Sequence, residues 1–254
     1  MLNIMGLGLR GTKSLTLEEA DALKESDLVY FEIYTSISPG NTVDSLSSLT
    51  GGMIRLADRN LIETDSEIIN EAKNKIVTLL VTGDALSATT HNELRMEAQK
   101  AGVEVRIFEN ASIITAFISK TGLFNYKFGN IVSMPFIYEN FFPVSVYDRI
   151  YINYSNNMHT LLLLDLKDGK TMGIQDALGI LKRMEDSRKK GLIEPERIVI
   201  AGIAIGSENE SIIYGNLDKV MEYNPPGSPA SIIIPATIND NEREFLEAFA
   251  RKIN

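Results

Sequence analysis

Gly6-Leu7-Gly8-Leu9-Arg10-Gly11 has the spacing G-x-G-x-x-G directly after an apolar run, and Glu32 closes the next apolar run. That spacing can seat a dinucleotide pyrophosphate on a helix N-terminus, with an acid downstream for the ribose. The helix arrives too late for this chemistry. Thr16 and Glu19 form a capping-box pair, so the helix cap lies five residues past Gly11, with Thr12, Lys13 and Ser14 in between. The glycines then read either as a tight bend or as space in which a flat nucleoside approaches the backbone. A nicotinamide-dependent oxidoreductase is the rival reading from a different class.

A second polar point is Thr82-Gly83-Asp84-Ala85, which follows the continuous apolar run Ile76–Val81. Such a run suits a strand buried on both faces, and ligands of open α/β sheets collect at strand carboxyl ends. A carboxylate there can accept from ribose hydroxyls or an ammonium group; equally, Asp84 or Ser87 can cap the next helix. Glu109, Asn110 and Ser112 follow the next strand at a similar end. Tyr34-Thr35-Ser36 is a hydroxyl cluster that could hold a polar ligand or form an ordinary loop. His91 and His159 are the only histidines, and both read more readily as structural than as catalytic.

Composition narrows the classes. There is no cysteine, so a disulfide, a thiolate nucleophile and a Cys/His zinc site are all excluded, and no metal site is expected. The formal net charge of -9 disfavours nucleic acid and anionic membrane as partners. No apolar run approaches the roughly 18 residues of a membrane span. The start, Met1 to Leu9, lacks the basic leader of a signal peptide, which leads us to expect a cytoplasmic protein.

The elements that must position these residues alternate strand and helix, the pattern of an α/β fold. Strands are expected at Leu2–Leu7, Leu28–Ile33, Met53–Leu56, Ile76–Val81, Val103–Phe108, His159–Leu166, Arg197–Ile203 and Ser231–Ile234. Helices are expected at Thr16–Glu25, Thr42–Leu49, Asp65–Lys75, Thr89–Ala101, Ser112–Lys120 and Gly173–Lys190. A last helix is expected over Asn241–Ile253, with Asn241 and Glu244 as its cap pair. More than half of the aromatic side chains fall in 124–154, a band suited to a core, a subunit interface, or a rim gripping a cation. Length permits two domains, 1–114 and 115–254.

Taken in order, the motifs resemble the diphthine synthase family. They are Gly6-Leu7-Gly8-Leu9, Glu32-Ile33-Tyr34-Thr35-Ser36, Ala88-Thr89-Thr90-His91 with Glu93-Leu94-Arg95, and Ala101-Gly102-Val103. Ala111-Ser112-Ile113, Thr121-Gly122-Leu123, Tyr126-Lys127-Phe128-Gly129 and His159-Thr160-Leu161-Leu162 with Leu164-Asp165 continue the series. The resemblance spans almost the whole chain. It implies a tetrapyrrole-methylase-like fold of two α/β domains with the cofactor cleft between them, and a homodimer. It implies methyl transfer from S-adenosyl-L-methionine to the amino group of 3-amino-3-carboxypropyl-histidine on elongation factor 2, in diphthamide biosynthesis. The family's cofactor positions map onto Leu9, Asp84, Ser87, Ser112, Ile113, Leu164, Ile205 and Ala230. Three departures stand out: Ala85 where relatives carry proline, Ala230 where they carry histidine, and an enlarged Ile205. No residue is singled out as a catalytic base, because a sulfonium methyl is already strongly electrophilic. Same-fold rivals are a tetrapyrrole or RNA methyltransferase and a non-catalytic dimer; the lack of a basic cluster counts against RNA.

Overall fold

Leu2–Gly6 forms a strand, β1, with all five residues buried. A strand so enclosed needs cover on both faces. The computed structural model describes residues 1–38, 42–52, 54–167 and 169–254, and the chain divides into two compact units, Met1–Ile113 and Ile114–Asn254.

In the first unit β1 is followed by α1 (Leu17–Lys24), β2 (Leu28–Glu32), α2 (Thr42–Thr50) and β3 (Ile54–Ala57). Then come α3 (Arg59–Glu63), α4 (Glu67–Ala72), β4 (Val77–Val81), α5 (His91–Lys100) and β5 (Val105–Phe108). The strands form one sheet in the order β3-β2-β4-β1-β5, and every pairing is parallel. Successive residues of a strand point to opposite faces. Met5, Phe31 and Leu80 therefore meet Leu23 of α1 and Leu46 of α2. Their neighbours Ile4, Tyr30 and Leu79 meet Ile62, Ile68 and Leu94 of α3, α4 and α5. The adjoining strands β1 and β4 thus send the chain to opposite faces. The carboxyl ends of such a strand pair are where open α/β sheets hold ligands.

The second unit begins inside α6 (Ile113–Thr121) and contains β6 (Val132–Met134), α7 (Ser145–Ser155), β7 (Thr160–Leu164), β8 (Leu166–Lys167) and β9 (Lys170–Thr171). It continues with α8 (Ile174–Arg188), β10 (Ile198–Ile203), β11 (Ser211–Asn216), α9 (Leu217–Tyr223), β12 (Ala230–Ile234), α10 (Asp240–Phe249) and β13 (Arg251–Ile253). Its main sheet runs β13-β11-β10-β12-β7-β6. The central pairings β11/β10, β10/β12 and β12/β7 are antiparallel, and the two outer ones are parallel. Leu178, Leu181 and Met184 of α8 pack with Tyr147 and Ile150 of α7 in this unit's core.

Several elements differ from the sequence expectation. The last helix is capped by Asn239 and Glu242, a complete capping box, and stops at Phe249. Both pairs have the same spacing; Glu242 prevails because its carboxylate is also held by tertiary partners. Arg251–Ile253 pairs with β11 as a strand, not as the end of a helix. The helix expected over Asp65–Lys75 is shorter, and a separate helix, capped by Asp58, precedes it. Met53, placed at the head of the third strand, lies outside the described residues. Among the described residues no helix is long and apolar enough to cross a membrane.

Candidate functional site

Three loops, after β1, β4 and β5, are tied together at the carboxyl end of the first sheet. Leu7 N–H donates to the Val81 carbonyl at 2.7 Å, and Gly8 and Gly83 exchange backbone hydrogen bonds of 3.0 and 2.9 Å. Asn110, after β5, reaches across with its amide: Nδ2 donates to the carbonyls of Gly6 at 3.1 Å and Ser14 at 3.2 Å. The same amide meets both oxygens of Glu19 at 3.1 Å. Glu19 is buried and also accepts from Thr16 N–H at 2.6 Å, so the cap of α1 anchors the loop cluster as well. Asp84 faces the same ensemble. Its Oδ1 accepts from Leu86 N–H at 3.1 Å, and its Oδ2 accepts from Asn110 N–H at a long 3.4 Å.

Gly8 is required here on two counts. Its φ of +59° is left-handed, and an added Cβ would lie 2.6 Å from both Asn110 Oδ1 and Ser14 Cβ. Gly8→Ala should therefore cost about 2–4 kcal/mol, combining left-handed strain with overpacking. Denaturant titration checks this, and a loss below about 1 kcal/mol would mean the loops yield more easily than their hydrogen bonds suggest.

The geometry disposes of the dinucleotide reading. Gly11–Ser14 forms a 3-10 turn, and α1 starts only after its Thr16 cap. The helix that follows β1 therefore does not open at Gly8. Glu32, the supposed ribose acid, is fully buried and turned into its own loop. It accepts from the N–H groups of Tyr34 and Thr35 and from the Thr35 hydroxyl. The Tyr34 hydroxyl in turn lies 3.4 Å from both Glu63 and Thr90, and burial pushes its pKa up to about 12.

The mapped cofactor positions fall into two groups, one in each unit. In the first unit Leu9 follows β1, Asp84 and Ser87 follow β4, and Ser112 and Ile113 follow β5; all five are partly exposed. These three strands are neighbours, so sequence-distant residues share one sheet end. In the second unit Leu164 ends β7, Ala230 begins β12, and Ile205 follows β10. The register pairs Ala230 with Ile203 and Ser231 with Leu163, which places all three at one end of that sheet. Ile205 and Ala230 are buried, and Leu164 is partly exposed. The bridging part of Asn110 was not evident beforehand; its position directly after a strand, beside Ser112, was the only signal.

A model of the tetrapyrrole (corrin/porphyrin) methylase family matches residues 1–220. Together with the fold, this makes the chain an enzyme that transfers methyl groups. Over 254 residues, the whole chain, it is 43% identical to a diphthine synthase of Thermoplasma acidophilum, covering 97% of that protein. Against a diphthine synthase of Methanococcus aeolicus the identity is 34%, with 100% of both chains covered. A crystal structure of a diphthine synthase is similar with a TM-score of 0.89 at 30% identity, across 99% of this chain and 97% of that one. The chain belongs to the diphthine synthase family.

Proposed function

We propose that this methyltransferase takes S-adenosyl-L-methionine as donor and methylates the amino group of 3-amino-3-carboxypropyl-histidine on elongation factor 2. The observation that carries the reading is the convergence of the loops after β1, β4 and β5 around Asp84, in a chain related to diphthine synthases along its full length. The residues suit the donor. A carboxylate offers about four acceptor positions, and two backbone N–H groups occupy part of Asp84, one of them weakly. Acceptor capacity remains for ribose hydroxyls or an ammonium group. An added Cβ on Gly83 would make an ordinary contact with the Ala111 carbonyl at 3.9 Å and no closer one.

Leu9, Ser87, Ser112 and Ile113 would hold the donor alongside Asp84, and the family resemblance adds Leu164, Ile205 and Ala230 as further donor positions. Ala230 offers no polar side chain, so its contribution is confined to backbone and packing. When bound, the donor supplies an electrophilic methyl group. The protein's part is to orient the neutral amine in line with the methyl–sulfur bond, at roughly 3 Å, and to keep water out. Asp84 orients and takes no proton. Resemblance to the family is the ground for taking the working unit as a homodimer.

The test is incubation with labelled S-adenosyl-L-methionine and elongation factor 2 carrying the unmethylated intermediate, followed by mass measurement of the modified histidine. Mass gain in whole methyl increments is expected. Absence of transfer, with the protein folded and the donor bound, overturns the substrate assignment.

A further inference from the structure

The loop from β4 to α5 carries Asp84 and Ser87, yet it is mostly irregular and includes a strained residue, Ala88, with φ at +59°. Left-handed backbone at a residue with a Cβ persists only where the surroundings enforce it. The enforcement is visible at one atom. The carbonyl oxygen of Ala85, in a residue only 1% exposed, accepts from the Thr89 hydroxyl at 2.8 Å and from His91 Nδ1 at 2.9 Å. A carbonyl can only accept, so the proton of His91 sits on Nδ1. The ring is fully buried and stands edge-on to Tyr34, with centroids 6.3 Å apart at 77°.

Its other nitrogen, Nε2, is buried with no hydrogen-bond partner among the described residues. An unpaired buried acceptor is a destabilising feature that an apolar ring of the same shape would lack. What histidine provides and phenylalanine cannot is the Nδ1–H on Ala85, next in the chain to Asp84. We propose that His91 is a positioning residue for the methyl donor: with Thr89 it pins the Ala85 carbonyl and so holds Asp84 and Ser87 in their binding arrangement. This rests on the reading of Asp84 and Ser87 as donor contacts.

The test is calorimetric titration of the full chain with S-adenosyl-L-methionine, joined to steady-state kinetics. His91→Phe keeps the ring volume and loses the donor; His91→Asn keeps a donor; Thr89→Val removes the second donor almost isosterically. Leu246→Ala, in α10 of the other unit, serves as a stability control. His91→Phe is expected to raise the Kd and the donor KM about fivefold to tenfold, the worth of one hydrogen bond, with little change in kcat at saturating donor. Thr89→Val should move both in the same direction, and His91→Asn should restore most of the affinity. Leu246→Ala should lower the melting temperature and leave Kd unchanged. Wild-type affinity in His91→Phe overturns the inference, as does an equal loss in Leu246→Ala. Should His91→Phe fail to fold, Thr89→Val decides by the same criterion. If the parent chain binds no S-adenosyl-L-methionine, the donor reading itself fails and the inference falls with it; binding by the parent but unaltered binding by the variants removes the inference alone.

Discussion

Glu242→Ala is expected to lower the unfolding free energy by about 3–5 kcal/mol, the cost of removing one partner from a buried ion pair. Glu242 is fully buried near the start of α10. Its Oε2 meets Lys127 Nζ at 2.5 Å and accepts from Asn239 N–H at 3.1 Å. Its Oε1 accepts from Phe124 N–H at 3.0 Å and from His159 Nε2 at 3.1 Å. Truncation therefore strands two backbone donors and an imidazole N–H, and leaves the Lys127 ammonium, among the described residues, with the Thr237 carbonyl at 2.8 Å. For a chain of this size the loss corresponds to a fall in melting temperature of about 10 °C. Calorimetry reads it directly, and a fall of only about a degree would show that solvent replaces the network at little cost.

The same network makes the protein acid-sensitive. Ala236 N–H donates to His159 Nδ1 at 3.0 Å, so that nitrogen carries no proton and the ring is neutral, with its hydrogen on Nε2. Burial pulls the His159 pKa below its ordinary 6.5, and the attraction of Glu242 only partly opposes this. In the unfolded chain the ring regains 6.5 and binds more protons, so stability declines as pH falls below that value. Burial alone would raise the Glu242 pKa, but Lys127, the backbone donors of Phe124 and Asn239, and His159 outweigh it and hold it below 4.5. Its contribution is present above that value and is lost on further acidification. Both groups thus act in one direction, and unfolding free energy measured against pH should fall first through the histidine range and then through the carboxylate range.

This network also shows how far the sequence could be read. Tyr126-Lys127-Phe128-Gly129 and His159-Thr160-Leu161-Leu162 were visible as motifs, but nothing in their spacing shows that they meet. They do: His159 N–H donates to the Lys127 carbonyl at 2.7 Å, and Gly129 N–H donates to the His159 carbonyl at 2.9 Å. Asn153 then closes the group, accepting from Asn130 N–H at 3.0 Å and donating to Thr160 Oγ1 at 3.0 Å. The choice between Asn239/Glu242 and Asn241/Glu244 as helix cap depended on these contacts, which are long-range and leave no periodic trace. The aromatic band likewise hid β6, three residues long, and α7, whose apolar positions are mixed with polar ones. By contrast β1, β4 and α1 were legible, because unbroken apolar runs and a capping box are local signals. The site was half legible for the same reason. Asp84 at the end of a buried strand is a local feature, whereas its meeting with Asn110, and that of Gly83 with Gly8, follow from the order β4-β1-β5, which no single segment encodes.

Asp84→Ala is expected to weaken S-adenosyl-L-methionine binding by about 1–3 kcal/mol, the range for losing a hydrogen-bonded charged acceptor, or roughly fivefold to 150-fold in Kd. Two effects would combine. The carboxylate is the group proposed to receive donor hydrogen bonds, and it also receives Leu86 N–H and Asn110 N–H. Asp84→Asn separates them, because an amide oxygen can still accept from Leu86 N–H while the charge is gone. If the charge itself grips the donor, Asp84→Asn should bind nearly as poorly as Asp84→Ala. If Asp84 merely shapes the loop, Asp84→Asn should retain most of the affinity. Neither substitution should change kcat at saturating donor by more than a small factor, since Asp84 is given no proton to move. Unchanged affinity in Asp84→Ala would remove this residue from the donor site, and a collapse of kcat with unaltered Kd would give it a part in the chemistry that the proposed mechanism denies.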